Sequence, residues 1–214
     1  TKKRPIPTGM IEPDHARLFG VALTLTGAWL LYFNVNPLTC VLALITTLLY
    51  IFIYTPLKRI SWLNTLVGAV PGALPIIGGW VATNTPIHIA GIALFFTLFS
   101  WQIPHFYALS IMYLDDYTVA GFKMLPIGDE NYRSTKRQIL IFTLLMIISS
   151  VGPFLFGFLS EIYLFGVLII SIIFLGLTIR FLNVFSKKNA KKLFILSIIY
   201  LPLWLILVLI DILI

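Results

Sequence analysis

Seven long apolar runs follow one another along the chain, at residues 18–33, 38–54, 66–82, 87–103, 139–159, 162–179 and 193–214. At ~1.5 Å per residue, helices of these lengths reach roughly 25–33 Å, close to the hydrocarbon thickness of a bilayer. The runs are too long for barrel strands of ~10 residues and show no alternation of period two, which leaves helices as the spanning form. Fifty-nine per cent of the 214 residues are hydrophobic and 11% are charged; the mean hydropathy is +1.00. A soluble domain of this size cannot hide so much apolar surface, so the pattern predicts an integral membrane protein. It also excludes a disordered chain and a nucleic-acid binder working in water, despite the net charge of +7. Cys40 is the single cysteine, so no disulfide framework or cysteine-based metal site is available.

The connections between runs are of two kinds and alternate. Residues 34–37, 83–86 and 160–161 are short and hold no Lys or Arg. The N-terminal segment and residues 55–65, 114–138 and 180–192 are longer and hold all 15. A seven-helix weave with every cation on one side follows the positive-inside rule, which makes that side cytoplasmic, or the matrix in a mitochondrion. Six of the eight acids share it: Glu12, Asp14, Asp115, Asp116, Asp129 and Glu130. That distribution suggests a polar chamber opening to the cytoplasm, although Asp129 and Glu130 read more simply as solvated loop residues. Glu161 and Asp211 fall at the opposite interface, where solvation explains them. The opening Thr1-Lys2-Lys3-Arg4-Pro5 reads as a loop between helices, which predicts a chain that starts part-way through a longer protein.

Three stretches carry candidate chemistry. Lys58 and Arg59 close the second run after Tyr54. Two adjacent cations at a membrane surface suit a diphosphate, and they equally suit plain anchoring of a helix end. In the third run, Gly68, Ala69, Gly72 and Ala73 form a small-residue face for close helix contact, and Pro71 and Pro75 break the hydrogen-bond ladder one turn apart. Such breaks also open cavities around a ligand. The fourth run leads through Trp101, Pro104, His105 and Phe106 to Tyr113, Asp115, Asp116 and Tyr117. Paired carboxylates at the membrane edge are costly without a cation, and their hard oxygens favour Mg²⁺; a helix end capped by acids is the simpler alternative. His105 can donate to a carbonyl freed by Pro104, ligate a haem iron or steady developing charge.

The stretch from Tyr54 to Trp80, then Pro104-His105-Phe106, then Asp116-Tyr117-x-x-Ala120-Gly121-x-x-Met124-Leu125-Pro126, resembles the protoheme IX farnesyltransferases, or haem O synthases, of the UbiA superfamily of intramembrane prenyltransferases. The likeness covers essentially the whole chain, with three motifs in order. It implies an all-α polytopic bundle of nine helices, of which seven are present. Residues 1–214 are then a single transmembrane prenyltransferase domain lacking its first two helices and first Asp-rich loop. The family transfers the farnesyl group of farnesyl diphosphate to a vinyl group of haem B, giving haem O for haem-copper oxidases, with Mg²⁺ holding the diphosphate.

By position, the resemblance implies that Lys58, Arg59 and Asp116 are catalytic and that Asp115 and Asp116 hold the metal. Arg4, Tyr54, Asn64, His105, Tyr113 and Tyr117 are implied as substrate contacts, with His105 assigned to haem. Tyr54, Trp101, Phe106 and Tyr113 offer aromatic faces to an allylic carbocation. The implied partners are the lipid bilayer, haem B, farnesyl diphosphate, and haem A synthase or oxidase assembly factors, with no nucleic acid. The implied location is a bacterial inner membrane, or the mitochondrial inner membrane in a eukaryote. Ala120 stands where many superfamily members have a second Asp of the loop, which argues against a quinone-type aromatic prenyltransferase. A prenyltransferase acting on a quinone or chlorophyll precursor and a non-catalytic transporter or haem carrier are the alternatives. A receptor would leave the Lys58-Arg59 and Asp115-Asp116 pairs without a task.

Overall fold

The structure, a computed structural model, describes residues 4–214; Thr1, Lys2 and Lys3, read above as part of a loop, lie outside the described residues. Those residues form helices and connections without a strand. In chain order the helices are α1 (Pro13–Asn34), α2 (Pro37–Leu48), α3 (Thr55–Ile60), α4 (Asn64–Ala82), α5 (Ile89–Met112), α6 (Leu114–Val119), α7 (Arg133–Leu155), α8 (Glu161–Asn183) and α9 (Lys187–Leu213). A π-helical segment, Leu49–Tyr54, joins α2 to α3 into one rod, Pro37–Ile60. Seven of these rods are long and apolar enough to cross a membrane.

The helices outrun the apolar runs at the basic side. The second run was expected to stop at Tyr54, yet the rod continues to Ile60 and carries Lys58 and Arg59 in its last turn. Pro56 lacks an N–H and would ordinarily break the ladder. The wider π turn absorbs it: Thr55 N–H reaches back to Tyr50 O, and Thr55 Oγ1 donates to the same carbonyl at 2.8 Å. The fourth run was expected to end at Ile103, but α5 runs on through Pro104 to Met112. Residues 180–192 hold helical ends instead of a long loop: α8 reaches Asn183 and α9 starts at Lys187. Long cationic side chains let a helix end emerge from lipid without burying charge.

Helix α5 is the centre of the bundle. It packs on α4, α7 and α9, while α7, α8 and α9 close a four-helix ring with it; α2 lies on α4, and α1 on α2. Several of its buried polar side chains find partners locally or across the interface, as Thr97 donates to Ala93 O and Gln102 to Ala69 O. Small residues permit these approaches. A Cβ on Gly68 would meet the Tyr54 ring at 2.5 Å, and one on Gly72 would strike the Gln102 amide, as the small-residue face predicted.

Contacts between connections join like to like. On the neutral side, Asn36 Nδ2 donates to Val81 O at 2.7 Å and to Asn84 Oδ1 at 3.0 Å. Asp211, read from sequence as merely solvated, accepts from the Ser160 and Tyr163 N–H groups at 2.9 and 3.1 Å and so caps the start of α8. On the basic side, Asp129 likewise does more than sit in a loop. It accepts from the Ser134 and Thr135 N–H groups at 3.2 and 2.6 Å at the start of α7.

Candidate active site

Lys58 sits on the inner side of the α3 corner. Tyr50, Tyr54 and Lys58 recur every four residues and share one face of the rod. The Lys58 ammonium lies 4.3 Å from the centre of the Tyr54 ring and 5.8 Å from that of Tyr50. The two rings stand 5.1 Å apart, and Gly68 gives Tyr54 room against α4. The ammonium is thus steered by two aromatic faces while its three N–H donors stay available to an anion. Sequence reading named Tyr54 but missed Tyr50; the four-residue spacing was the signal that would have found it.

The corner is bound directly to the loop bearing the acids. Lys123 N–H donates to Lys58 O at 2.7 Å, and Asn64 Nδ2 donates to Lys123 O at 2.8 Å and to Ser61 O at 2.7 Å. Asn64 is 1% exposed, so its amide serves as a strut between two loops. Lys123 itself was not among the expected site residues, because a backbone contact leaves no mark in residue type. The loop continues backwards through Phe122, whose ring lies 5.8 Å from that of Tyr117, to α6 with Asp115 and Asp116 in its first turn. Burial and the neighbouring Tyr113 push the Tyr117 hydroxyl up from its ordinary value.

The two carboxylates differ. Asp115 Oδ2 accepts from Lys187 Nζ at 2.8 Å across to the start of α9. That hydrogen bond and the ammonium charge hold the Asp115 carboxyl below the usual range. Asp116 is exposed and forms no ion pair among the described residues. Arg4 and Arg59 are also exposed on this side. Tyr113 closes α5 and accepts Tyr117 N–H through its carbonyl at 3.0 Å.

Among the described residues, no three His, Cys, Asp or Glu side chains gather closely enough to hold a metal ion unaided. The donor set still fits Mg²⁺, which commonly takes one or two carboxylates and completes its shell with substrate phosphates and water. Asp116 is free for that role. Asp115 joins it only by exchanging its exposed, screened contact with Lys187.

His105 lies apart from this rim, inside α5. Its ring stacks at 4.8 Å on Trp101 and at 4.8 Å on Phe194, and its Nδ1 lies 2.7 Å from Ser197 Oγ. It is not used to mend the backbone at Pro104. The basic rim, the carboxylates beside it and a greasy interior suit a molecule with an anionic head and a hydrocarbon tail.

Comparison with known proteins bears on the family and the fold. Residues 1–206 match the UbiA prenyltransferase family. Protoheme IX farnesyltransferase of Solibacter usitatus is 40% identical over 211 residues, covering 99% of this chain and 72% of that protein. The protein of the same name from Salinibacter ruber is 41% identical over 211 residues, with 99% and 75% covered. That of Aquifex aeolicus is 37% identical over 203 residues, with 94% and 68% covered. A solved structure of digeranylgeranylglyceryl phosphate synthase in membranes superposes with a TM-score of 0.82 at 20% identity, covering 98% of this chain and 73% of the other; it shares the fold.

Proposed function

The chain belongs to the UbiA prenyltransferase family, and on that premise we propose that it is a protoheme IX farnesyltransferase, moving the farnesyl group of farnesyl diphosphate onto a vinyl group of haem B to make haem O. The observation that carries the site assignment is the lacing of the Lys58 corner to the acidic loop through Asn64 and Lys123. It ties the connection after Lys58 to the one after Asp115 and Asp116, which supports reading the cations and carboxylates as parts of one site.

Breaking the allylic C–O bond leaves a diphosphate anion and a delocalised farnesyl cation. Lys58, assisted by Arg59 and Arg4, offsets the charge growing on the leaving oxygen. Tyr54 and Tyr50 hold the Lys58 ammonium in place, so little reorganisation is needed as that charge develops. The terminal vinyl carbon forms the new C–C bond to the farnesyl cation. Water adds to the resulting benzylic-type cation and gives up a proton, leaving the hydroxyethylfarnesyl group. Aromatic faces such as Tyr113 and Phe106 shield the cation from premature capture by water.

Mg²⁺, when bound, supplies Lewis-acid neutralisation of the leaving diphosphate. Asp116 would hold it, with Asp115 as the second carboxylate. The basic connections face the cytoplasm of a bacterial inner membrane, or the matrix if the cell is eukaryotic, which the segregation of all 15 cations supports. Haem A synthase or oxidase assembly factors then receive the product.

The test uses the protein expressed from its complete reading frame, purified in nanodiscs and given haem B and farnesyl diphosphate with or without Mg²⁺. Haem O in the mass spectrum, lost with chelator, is the expected result. In a parallel reaction an aromatic acid replaces haem B; its prenylation, with no haem O from haem B, would overturn the substrate assignment.

A further inference from the structure

Near the middle of the bundle, two side chains of α5 and a carbonyl of α9 meet at Ser197 of α9. Trp101 Nε1 donates to the Ser197 carbonyl at 2.9 Å. Ser197 Oγ donates to Phe194 O at 2.6 Å, and the same Oγ lies 2.7 Å from His105 Nδ1. None of these groups holds the diphosphate. His105 stands seven residues before the end of α5 at Met112, about 10 Å below the basic rim along the helix.

A serine hydroxyl has one proton, and a peptide carbonyl can only accept. With that proton given to Phe194 O, the contact to His105 is a hydrogen bond only if Nδ1 carries the hydrogen. The ring is then the Nδ1–H tautomer, and the lone pair belongs to Nε2. Among the described residues, Nε2 takes no hydrogen-bond partner, and the side chain is only partly buried. Stacking on Trp101 and Phe194, at interplanar angles of 21° and 28°, fixes the plane in which that lone pair points.

We propose that Ser197 is a positioning residue that locks His105 as the Nδ1–H tautomer, so that Nε2 presents its lone pair to the iron of the porphyrin substrate. The arrangement is that of a ligating imidazole: one nitrogen donates to a fixed acceptor, the ring is clamped, and the other nitrogen is open. The role of the iron rests on the haem reading given above, whereas the tautomer does not.

The two parts are tested separately, on the complete protein in nanodiscs. With ¹⁵N-labelled histidine, the His105 resonances, assigned by their loss in His105→Gln, show the proton on Nδ1 in the ligand-free protein. Ser197→Thr keeps this signature, and Ser197→Ala shifts it toward Nε2–H. In haem titrations, the wild type and Ser197→Thr give the absorption and EPR signature of a nitrogen axial ligand, which His105→Gln abolishes. Ser197→Ala weakens haem binding roughly 10-fold or more. A wild-type proton on Nε2 overturns the proposal. So does a folded Ser197→Ala protein whose haem spectrum and affinity are unchanged while haem O is still made. Failure of the wild type to make haem O overturns the functional reading, and the iron's role with it, and leaves the tautomer to the NMR result.

Discussion

The side-chain amide of Asn64 donates to the carbonyl of Lys123 at 2.8 Å, across 59 positions of sequence. Since Lys123 in turn donates its N–H to Lys58 O, one buried amide sets the distance between the cationic corner and the acidic loop. Asn64→Ala leaves the Lys123 carbonyl without its donor, while Ser61 O keeps the backbone N–H of residue 64; the cost is about 1–3 kcal/mol. The expected result is a lower melting temperature and a higher KM for farnesyl diphosphate, with the KM for haem B less affected. An unchanged KM for the diphosphate substrate would show that the strut does not organise the site.

Lys58→Ala removes a cation held ready for the leaving group. Haem O formation is expected to fall roughly 10²–10³-fold in kcat/KM, with the melting temperature nearly unchanged. Asp116→Ala is expected to raise the Mg²⁺ concentration needed for half-maximal rate, while Asp115→Ala does so more weakly because Asp115 is engaged by Lys187. Initial rates over a Mg²⁺ series separate the two. Equal effects of the two substitutions would contradict the asymmetry.

Gly68→Ala places a methyl group 2.5 Å from the Tyr54 ring. The ring must move, and Lys58 loses its aromatic platform; a destabilisation of about 1–3 kcal/mol is expected, together with reduced turnover. Gly79, in the same helix, has open space where its Cβ would lie, so Gly79→Ala is expected to be neutral or stabilising by up to about 1 kcal/mol. Thermal unfolding of both variants checks the pair.

Burial alone would push the Asp129 carboxyl up, but the N–H groups of Thr135 and Ser134 outweigh it and hold the carboxyl below its ordinary value of 3.8. A depressed carboxylate contributes stability that is present above the unfolded value and lost as pH falls through the folded one. Asp129→Asn is therefore expected to cost about 1 kcal/mol near neutral pH. The gap to wild type closes as pH drops below about 3.8. Melting curves from pH 3 to 7 decide it; a gap that widens toward acid would refute the cap.

Cysteines placed at Thr85 and Asn131, in a Cys40→Ser background, are expected to react with an impermeant maleimide from opposite sides of the membrane. Labelling of Asn131 from the periplasmic face and of Thr85 from the cytoplasmic face would reverse the orientation argued from the charges, and labelling of both from one face would overturn the alternation of the connections.

The apolar pattern by itself determined that this chain is a multi-pass membrane protein with seven long apolar helices. Transfer of a residue into hydrocarbon depends on what that residue is, so composition and order along the chain suffice. The corner of Tyr54 and Lys58 and the acidic pair were legible for the same reason, since their chemistry resides in residue type. Only the packed bundle decided the rest. It carried the second helix through Pro56 on a π turn, and it gave Asp115 to Lys187 while leaving Asp116 without an ion pair among the described residues. It made Asn64 a strut and joined His105 to Ser197, 92 positions away. Hydrogen bonds act over about 3 Å and demand alignment, so partners far apart in sequence are chosen by how the helices pack.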